Sequence, residues 1–452
     1  MTTSDPVRPD DDGLKPTLTL LDSTMINVGT IIASGIFLVP AIIAAKFTAP
    51  GPALLVWIAG ALVSLCGALS VAELGAAMPK AGGQFVYLTR AFGPVWGYLY
   101  GWGSSVVVNP ASIAAIAVGF ATYLAYFVPL GPWGVKLVAI ASILALTLLN
   151  CFGLKLGAIT QNVLTFIKLA GVFGIVIAGL TYAGGSVQNL QPFWPDEPIV
   201  SLIGPFGVAM VAVLWAFDGW IEITYVGSEL KRPERDMSRS IILSTVLVGV
   251  IYALVAVALT FVLGHGAVAA SERVASDAMT VVLGAAGATL ITATILVSTL
   301  GANNGIVFTA ARIPYAMARD GKFFAWAGTV SPRFNVPVTA IVVQGLWSAS
   351  LVLLGTYEQL ATYVVFVSFL FYALSCVAVL VLRKREPDMP RPYRAWGYPV
   401  TPIVFVLFAL YLVGNAIVET PVESLIGGGL LGVGLVFYYA LGWNVVGAGN
   451  RE

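Results

Sequence analysis

Long apolar runs recur along the chain and are separated by short polar stretches. A helix of about 20 apolar residues crosses the hydrocarbon core of a bilayer, and these runs lack the alternation of membrane β-barrel strands. Because a bilayer offers no water to an exposed backbone, each run predicts a spanning helix. Twelve runs fit, at residues 18–46, 52–78, 92–126, 134–151, 157–182, 202–228, 239–264, 279–309, 337–355, 358–382, 399–417 and 423–444.

Composition agrees with an integral membrane protein. Only 10% of the 452 residues are charged, against roughly a quarter in soluble domains. The net charge of +1 gives no indication of a nucleic-acid partner. The three cysteines lie inside apolar runs, which fits helix packing better than disulfides or metal ligands, and there is a single histidine. We therefore expect neither a metal site nor a cofactor.

Basic residues predict the orientation of the bundle. With a cytoplasmic N-terminus, only Lys46, Lys136 and Arg273 of the 23 lysines and arginines fall outside, and Lys168 falls within a span. Since connections on the cytoplasmic side are enriched in basic residues, both termini are expected in the cytoplasm, in an inner or plasma membrane. The basic residues of 312–333 are interpreted as such orientation charges. Residues 1–16 and 446–452 are predicted to be cytoplasmic tails, the first one disordered, with no cleavable signal.

Two spans contain small and polar residues at their centre. Residues 30–37 (TIIASGIF) interrupt the first span, and residues 215–220 (WAFDGW) place a carboxylate and a glycine in the sixth. A glycine kink or small-residue packing would explain either alone. Interruptions at matching positions of two halves are typical of transporters with inverted repeats. We therefore predict a first repeat over 17–182, a second over 201–385, and two further helices over 396–445.

Unwound backbone at these breaks suits a solute that carries both charges on neighbouring atoms. The amides that follow Ser34 form a positive helix end and suit a carboxylate, while the carbonyls near Ile31 and Asp218 suit an ammonium group. Gly35 and Gly219 lack the Cβ that would block close approach. The predicted substrate-binding residues are Ile31, Ala33, Ser34, Gly35, Ile36, Trp215, Ala216, Asp218 and Gly219.

Five stretches resemble the motifs of one transporter family. Residues 29–37 (GTIIASGIF) resemble the first-helix signature of amino acid–polyamine–organocation transporters. Four others resemble the L-type amino acid transporter family of that superfamily, namely 79–87 (PKAGGQFVY), 216–220 (AFDGW), 312–321 (RIPYAMARDG) and 391–399 (RPYRAWGYP). The resemblance spans residues 17–442. It implies an all-α, leucine-transporter-like fold of twelve transmembrane helices, a five-plus-five inverted repeat with helices one and six broken, and sodium-independent exchange of neutral L-amino acids.

Two positions depart from the family pattern. Ala33 stands where the family usually has glycine. Glu222 stands where relatives commonly have an uncharged polar residue, and an ionisable group at membrane depth indicates a function. Glu222 is interpreted either as a specificity residue facing the substrate or as a capping or solvated carboxylate. Both interpretations remain open at this point.

Lys168 lies at the centre of the fifth span, where an unpaired charge is costly. The resemblance implies that its ammonium takes the place of the sodium ion that bridges helices one and eight in related transporters. We expect it to bind carbonyls of the first break and a hydroxyl such as that of Ser298 on helix eight. A lysine that extends to the cytoplasmic face is disfavoured, because residues 169–180 continue apolar.

Two further features have structural alternatives. Trp215 is predicted to be an aromatic gate over the substrate, although tryptophan is also common in helix packing and at membrane interfaces. Asn109 and Pro110 predict a local kink in the third span.

Three functions remain after these considerations. The leading one is an amino acid exchanger; the others are a proton-coupled symporter, for cationic amino acids or amines, in which Lys168 or Glu222 titrates, and a membrane sensor without transport. No motif of an enzyme or of a channel filter is readable. Relatives in mammals pair with a glycoprotein through a cysteine in the third outer connection, which the resemblance places at residues 127–134. This connection contains no cysteine, so no disulfide-linked heavy chain is expected.

Overall fold

The computed structural model describes residues 13–354 and 357–444, without the side chains of residues 357–363, 365 and 423. In this part of the chain the structure is helical apart from isolated β-bridges. The α-helices are α1 Leu20–Ile31, α2 Gly35–Ala44, α3 Pro50–Ala77, α4 Gln84–Phe92, α5 Pro94–Gly103, α6 Asn109–Leu124, α7 Pro132–Cys151, α8 Leu154–Leu180, α9 Ile199–Ala216, α10 Pro233–Leu263, α11 His265–Ala270, α12 Val274–Leu283, α13 Ala285–Ala310, α14 Arg312–Arg319, α15 Val338–Leu354, α16 Tyr357–Arg385, α17 Val400–Glu419 and α18 Pro421–Ala440.

The helices coincide with the predicted spans. Within the described residues, nine helices are long and apolar enough to cross a membrane, and the bent pair α1 and α2 makes a tenth. Helices α15 and α18 coincide with the ninth and twelfth predicted spans, but their described apolar parts are shorter. The prediction of an all-helical membrane protein is therefore confirmed. The predicted repeat boundaries stay predictions, and residues 1–12 and 446–452 of the predicted tails lie outside the described residues.

The first span is broken where the sequence predicts it. Helix α1 begins with a capping box between Thr19 and Asp22 and ends at Ile31, and α2 begins at Gly35 with a bend of 45° between the two. Between them the Ala33 amide donates to Ile31 O at 2.9 Å, which is too local a bond for an α-helix. The backbone therefore changes direction in the middle of the span.

The sixth span differs from the prediction after its break. Helix α9 ends at Ala216, and the chain continues through turns into two short 3₁₀-helices, Glu222–Tyr225 and Gly227–Glu229, instead of a second α-helical half. β-Branched and aromatic residues dominate this segment and favour the α-helix weakly. Tertiary bonds also hold it, since Tyr225 O accepts from the Gly82 amide at 2.9 Å.

The third span contains a π-helical segment at Ser104–Val108, which ends two residues before Pro110. Proline has no amide proton and cannot bond the carbonyl four residues earlier, which is that of Val106. Val106 O instead accepts from Trp347 Nε1 of α15 at 2.9 Å. The predicted kink is therefore a widened turn, and a side chain of another helix replaces the missing donor.

The end of the bundle near the N-terminus is tightly packed. The Thr17 and Leu18 amides donate to Glu229 O at 2.8 and 2.9 Å, and the Lys231 amide donates to Leu18 O at 2.9 Å. The Arg312 guanidinium forms a two-pronged ion pair with Glu229, and both side chains are 0% exposed. Arg312, interpreted from the sequence as an orientation charge, is therefore a buried, paired residue that joins α14 to the segment after the sixth span, and its side of the membrane stays a prediction.

Candidate substrate site

The two breaks are in direct contact at the centre of the bundle. The Thr30 hydroxyl lies 3.1 Å from Gly219 O and has two other acceptors, Asn27 O at 2.9 Å and Ile26 O at 3.0 Å, so it donates to one of the three at a time. A Cβ added to Gly35 would lie 3.2 Å from that of Ala216. Gly219 has φ of +109°, and a Cβ there would meet the backbone of Thr30 and Ile31 at 3.0 Å. Only glycine meets both requirements at position 219.

A cavity of about 90 Å³ lies between the breaks. One water occupies roughly 10–15 Å³ by the same measure, so the cavity has the size of a small organic solute. Of the predicted substrate residues, it brings together Ile31, Ala33, Ser34, Gly35, Trp215, Ala216, Asp218 and Gly219. Ile36 is buried beside this cavity and is not among its lining residues.

The amides at the start of α2 form one pole of the cavity. The first amides of a helix have no acceptor within it. The Phe37 amide already donates to Ser34 O at 3.1 Å, which leaves those of Gly35 and Ile36 at the helix end. Together with the positive end of the helix dipole, they provide donors for an anionic group.

Carbonyl groups at the ends of α1 and α9 form the opposite pole. The Tyr252 hydroxyl of α10 lies 3.0 Å from Ile31 O and 3.2 Å from Ala216 O. A hydroxyl has one proton, so it donates to one of these carbonyls at a time. The other carbonyl can then accept from a donor such as an ammonium group, and Ile31 O, which already accepts from the Ala33 amide, has one lone pair left for it.

Lys168 joins the first break to α13. Its ammonium donates to Gly29 O at 2.7 Å, to Ile32 O at 2.6 Å and to Ser298 O at 2.9 Å, and all three of its protons therefore have acceptors. The Ser298 hydroxyl, which we expected to receive this lysine, instead lies 2.9 Å from Ile32 O and 3.0 Å from Ala33 O and donates to one of them at a time. Position 298 thus contributes its backbone to the lysine and its side chain to the break.

Two carboxyl groups line the cavity. Asp218 Oδ1 accepts from the Tyr372 hydroxyl at 2.8 Å and from the Gly219 amide at 2.9 Å. Glu222 is 6% exposed, and its carboxyl accepts from the Thr309 hydroxyl of α13. Among the ion pairs of the described residues, none includes Asp218 or Glu222. A positively charged or donor-bearing ligand would therefore find carboxyl oxygens without an ion-pair partner here.

A second cavity of about 550 Å³ leads away from the site. It shares Ser34 with the central cavity and is lined by residues at the far end of the bundle, including Tyr126, Glu272 and Arg273. Trp215 lines the central cavity and is half-buried. The second cavity therefore borders the site on the side opposite to the packed N-terminal segment.

Three side chains that contact the site were not predicted from the sequence, namely Tyr252, Tyr372 and Thr309. Each contributes a single hydroxyl to an apolar span, which is also common in residues that only pack. The available signal is a polar atom at membrane depth, and it does not distinguish these three from other hydroxyl-bearing residues in the same spans.

Comparisons with known proteins agree with this architecture. The family model described as amino acid permease matches residues 18–441. The b(0,+)-type amino acid transporter 1 of Mus musculus is 34% identical, over 94% of this chain and 88% of its own length. The serine/threonine exchanger SteT of Bacillus subtilis (strain 168) is 31% identical, over 90% and 93%. The large neutral amino acids transporter small subunit 2 of Homo sapiens is 30% identical, over 94% and 80%. The chain belongs to the amino acid permease family, in its L-type amino acid transporter branch, and is a membrane transporter of amino acids, not an enzyme.

Proposed function

We propose that this permease exchanges amino acids across the membrane without sodium, by alternating access around the central cavity. The observation that carries the proposal is the Lys168 ammonium on carbonyls of both α1 and α13. A cation at this point holds the two helices together, and its charge and volume exclude a metal cation. One relative is named an exchanger, of serine and threonine, which supports the same mode of transport here.

The substrate backbone is held by the two poles of the cavity. In this proposal the carboxylate binds the amides at Ser34, Gly35 and Ile36, and the amino group binds carbonyls near Ile31 and at the end of α9. Trp215 closes over the bound substrate from the open side. The contact between the breaks supports this assignment, because it places both poles within one small cavity.

The side chain of the substrate is selected by the carboxyl of Glu222. Since a buried carboxyl favours a partner that is positively charged or donates a hydrogen bond, the site should prefer small side chains that carry a hydroxyl or a cationic group. The volume of the cavity, about 90 Å³, favours the smaller members of this class. This proposed class of substrates differs from the neutral amino acids that the family resemblance implies, because it includes small cationic side chains.

The sequence supports a proposal for the membrane orientation of the chain and for its partners. Both termini are proposed to face the cytoplasm, so that the open cavity at Glu272 and Arg273 faces outward. One relative is named a small subunit, that is, part of an assembly with another chain. For this chain we propose transport without a disulfide-linked heavy chain, because the connection at 127–134 has no cysteine.

Counterflow in proteoliposomes tests the proposal. Labelled threonine should enter vesicles loaded with unlabelled serine, and replacing sodium by choline or adding a protonophore should not change the rate.

A second candidate is a proton-coupled symporter, which the buried Glu222 carboxyl at the cavity favours. Entry into empty vesicles driven by an acidic exterior would establish that candidate and reject exchange. Absence of any flux would indicate a sensor.

A further inference from the structure

A third cavity opens on the side of the bundle, away from the substrate. It has a volume of about 190 Å³ and lies between the π-helical segment Ser104–Val108, α14, the connection that follows it, and the start of α15. We refer to it as the lateral groove, and the residues that define it are Ser105, Phe324, Trp326, Val343, Gln344 and Trp347.

The lateral groove combines an apolar wall with unpartnered polar atoms. Gln344 is only 7% exposed, and its Nε2 has no hydrogen-bond partner among the described residues. The same holds for the Ser105 hydroxyl across the groove. A buried amide without a partner costs roughly 1–3 kcal/mol, so these atoms indicate a ligand with a hydrogen-bond acceptor.

The rim of the groove faces the bilayer. Val343, Trp347, Phe324 and Trp326 are large apolar side chains that remain exposed. Tryptophan and other aromatic residues concentrate at the depth of lipid head groups. The connection before α15 carries charged residues, and α15 itself is apolar. The groove therefore lies where the water interface passes into the hydrocarbon core.

The depth of Gln344 identifies the acceptor. Gln344 is six residues beyond Val338, the first residue of α15, which is roughly 9 Å along the helix axis at 1.5 Å per residue. The head-group layer occupies about 5–7 Å on each side of the core. An α15 that begins at the outer edge of this layer places Gln344 within a few ångströms of the boundary with the hydrocarbon core, where the glycerol esters of a phospholipid offer carbonyl oxygens as acceptors.

The walls of the groove are fixed in position. Trp347 Nε1 donates to Val106 O, the carbonyl that Pro110 leaves free. Trp102, on the inner wall, donates through Nε1 to Leu430 O of α18 at 3.0 Å. The groove has a volume of about 190 Å³ and is open on the side of the bundle. It has room for a segment of a molecule whose remainder lies in the bilayer.

We propose that the lateral groove binds a membrane glycerophospholipid, with an ester carbonyl accepting from the Gln344 amide and the upper acyl chain lying against Trp347 and Phe324. The lipid supplies the acceptor that the protein lacks at this position. The binding is independent of the amino acid site, and therefore of the proposed exchange. The head group is not selected, since Lys322 beside the groove is already paired with Asp320.

Photolabelling of the full chain tests this proposal. The purified protein is labelled with a phosphatidylethanolamine that carries a diazirine on its upper acyl chain, in competition with diester or diether phosphatidylethanolamine of equal chain length. We expect label on the peptide of α15 or on residues 323–326. The diester should compete about two- to tenfold better, as one net hydrogen bond predicts, because the ether lacks the carbonyl. Equal competition, or label confined to other peptides, would overturn the proposal.

A variant gives a second measurement. Gln344→Leu keeps a side chain of similar length without the donor, and should abolish the difference between diester and diether. Gln188→Leu makes the same change on an exposed connection and should keep the difference. Amino acid counterflow by both variants reports that they are folded. A preserved difference in Gln344→Leu would reject the assigned donor, and if that variant does not fold, the wild-type competition decides.

Discussion

At the scale of single residues, Lys168 has the best-defined geometry in the site. Its ammonium satisfies carbonyls of Gly29, Ile32 and Ser298 in a buried position. In Lys168→Ala three carbonyls lose a donor, at a cost of about 1–3 kcal/mol each. Because about 1.4 kcal/mol is a factor of ten, their combined cost lowers the rate by more than tenfold if it falls on one conformation. We expect counterflow to decrease at least tenfold while the protein still inserts.

Lys155→Ala is the matched control for this variant. Lys155 lies on the same helix α8 but is exposed, so its removal should leave counterflow near the wild-type rate. Unimpaired transport by Lys168→Ala, or uptake by the wild type that depends on sodium, would contradict the role assigned to Lys168.

Glu222 leads to a prediction about substrate ranking. Glu222→Gln retains an acceptor for the Thr309 hydroxyl but removes the charge at the cavity. In competition against labelled threonine, serine and short cationic amino acids should lose affinity relative to alanine, because the opposite charge no longer selects them. Glu419→Gln, an exposed change on α17, should keep the wild-type ranking. An unchanged ranking in Glu222→Gln with transport intact would return this residue to a structural role.

The amides at the start of α2 give a prediction that needs no mutation. A methyl ester of the substrate lacks the charged oxygens that these amides and the helix dipole favour. It should therefore fail to displace labelled substrate at concentrations where the free amino acid does. Equal binding of the acid and its ester would exclude the proposed orientation of the substrate.

At the scale of elements, the two breaks depend on each other through Gly219. Gly219→Ala introduces a Cβ 3.0 Å from the backbone of α1 at a φ of +109°, a conformation that side chains rarely adopt. We expect a lower midpoint of thermal unfolding in detergent and loss of transport. Gly204→Ala, on α9 with open space around its Cβ position, should be neutral or slightly stabilising. A Gly219→Ala protein of unchanged stability and activity would argue against the close contact of the breaks.

The location of the elements was predictable from sequence, and part of their local structure was not. Runs of apolar residues located the spans because a bilayer requires continuous helix, and small residues located both breaks. The α-helix expected after Asp218 is absent because bonds such as that between Gly82 and Tyr225 O replace the helical ones. The ion pair of Arg312 was not predictable for a similar reason, since its partner Glu229 is 83 residues away. Hydroxyl contacts such as that of Tyr252 depend on tertiary packing and have no local signal.

At the scale of the molecule, the ion pair of Glu229 and Arg312 holds one end closed. Removing one partner of a buried pair costs about 3–5 kcal/mol, and that cost falls on the conformation described here. Glu229→Gln should therefore populate the opposite conformation. A cysteine is introduced in place of Leu18, which is 2% exposed. With an impermeant thiol reagent applied from the N-terminal side, this cysteine should react faster in the Glu229→Gln variant than in the protein that keeps Glu229.

Glu386→Gln is the control at the same end of the bundle. Its carboxyl pairs with Arg90 at 2.7 Å in a partly solvated position, and this guanidinium lowers the pKa of Glu386. Exposed pairs contribute little, so in Glu386→Gln the cysteine at position 18 should react about as fast as in the protein that keeps Glu386. Equal reactivity of the Glu229 and Glu386 variants would exclude the buried pair as a lock.

The contact between Thr30 and Gly219 also has a consequence for how the protein is made. The two residues are 189 positions apart, and a ribosome that adds 5–20 residues per second needs roughly 10 to 40 s to cover that distance. During this interval the first helix is already in the membrane, without the segment that completes its break. Its free backbone groups must then bond to water, lipid or the insertion machinery. Biogenesis, and not only transport, therefore depends on the arrival of the sixth span.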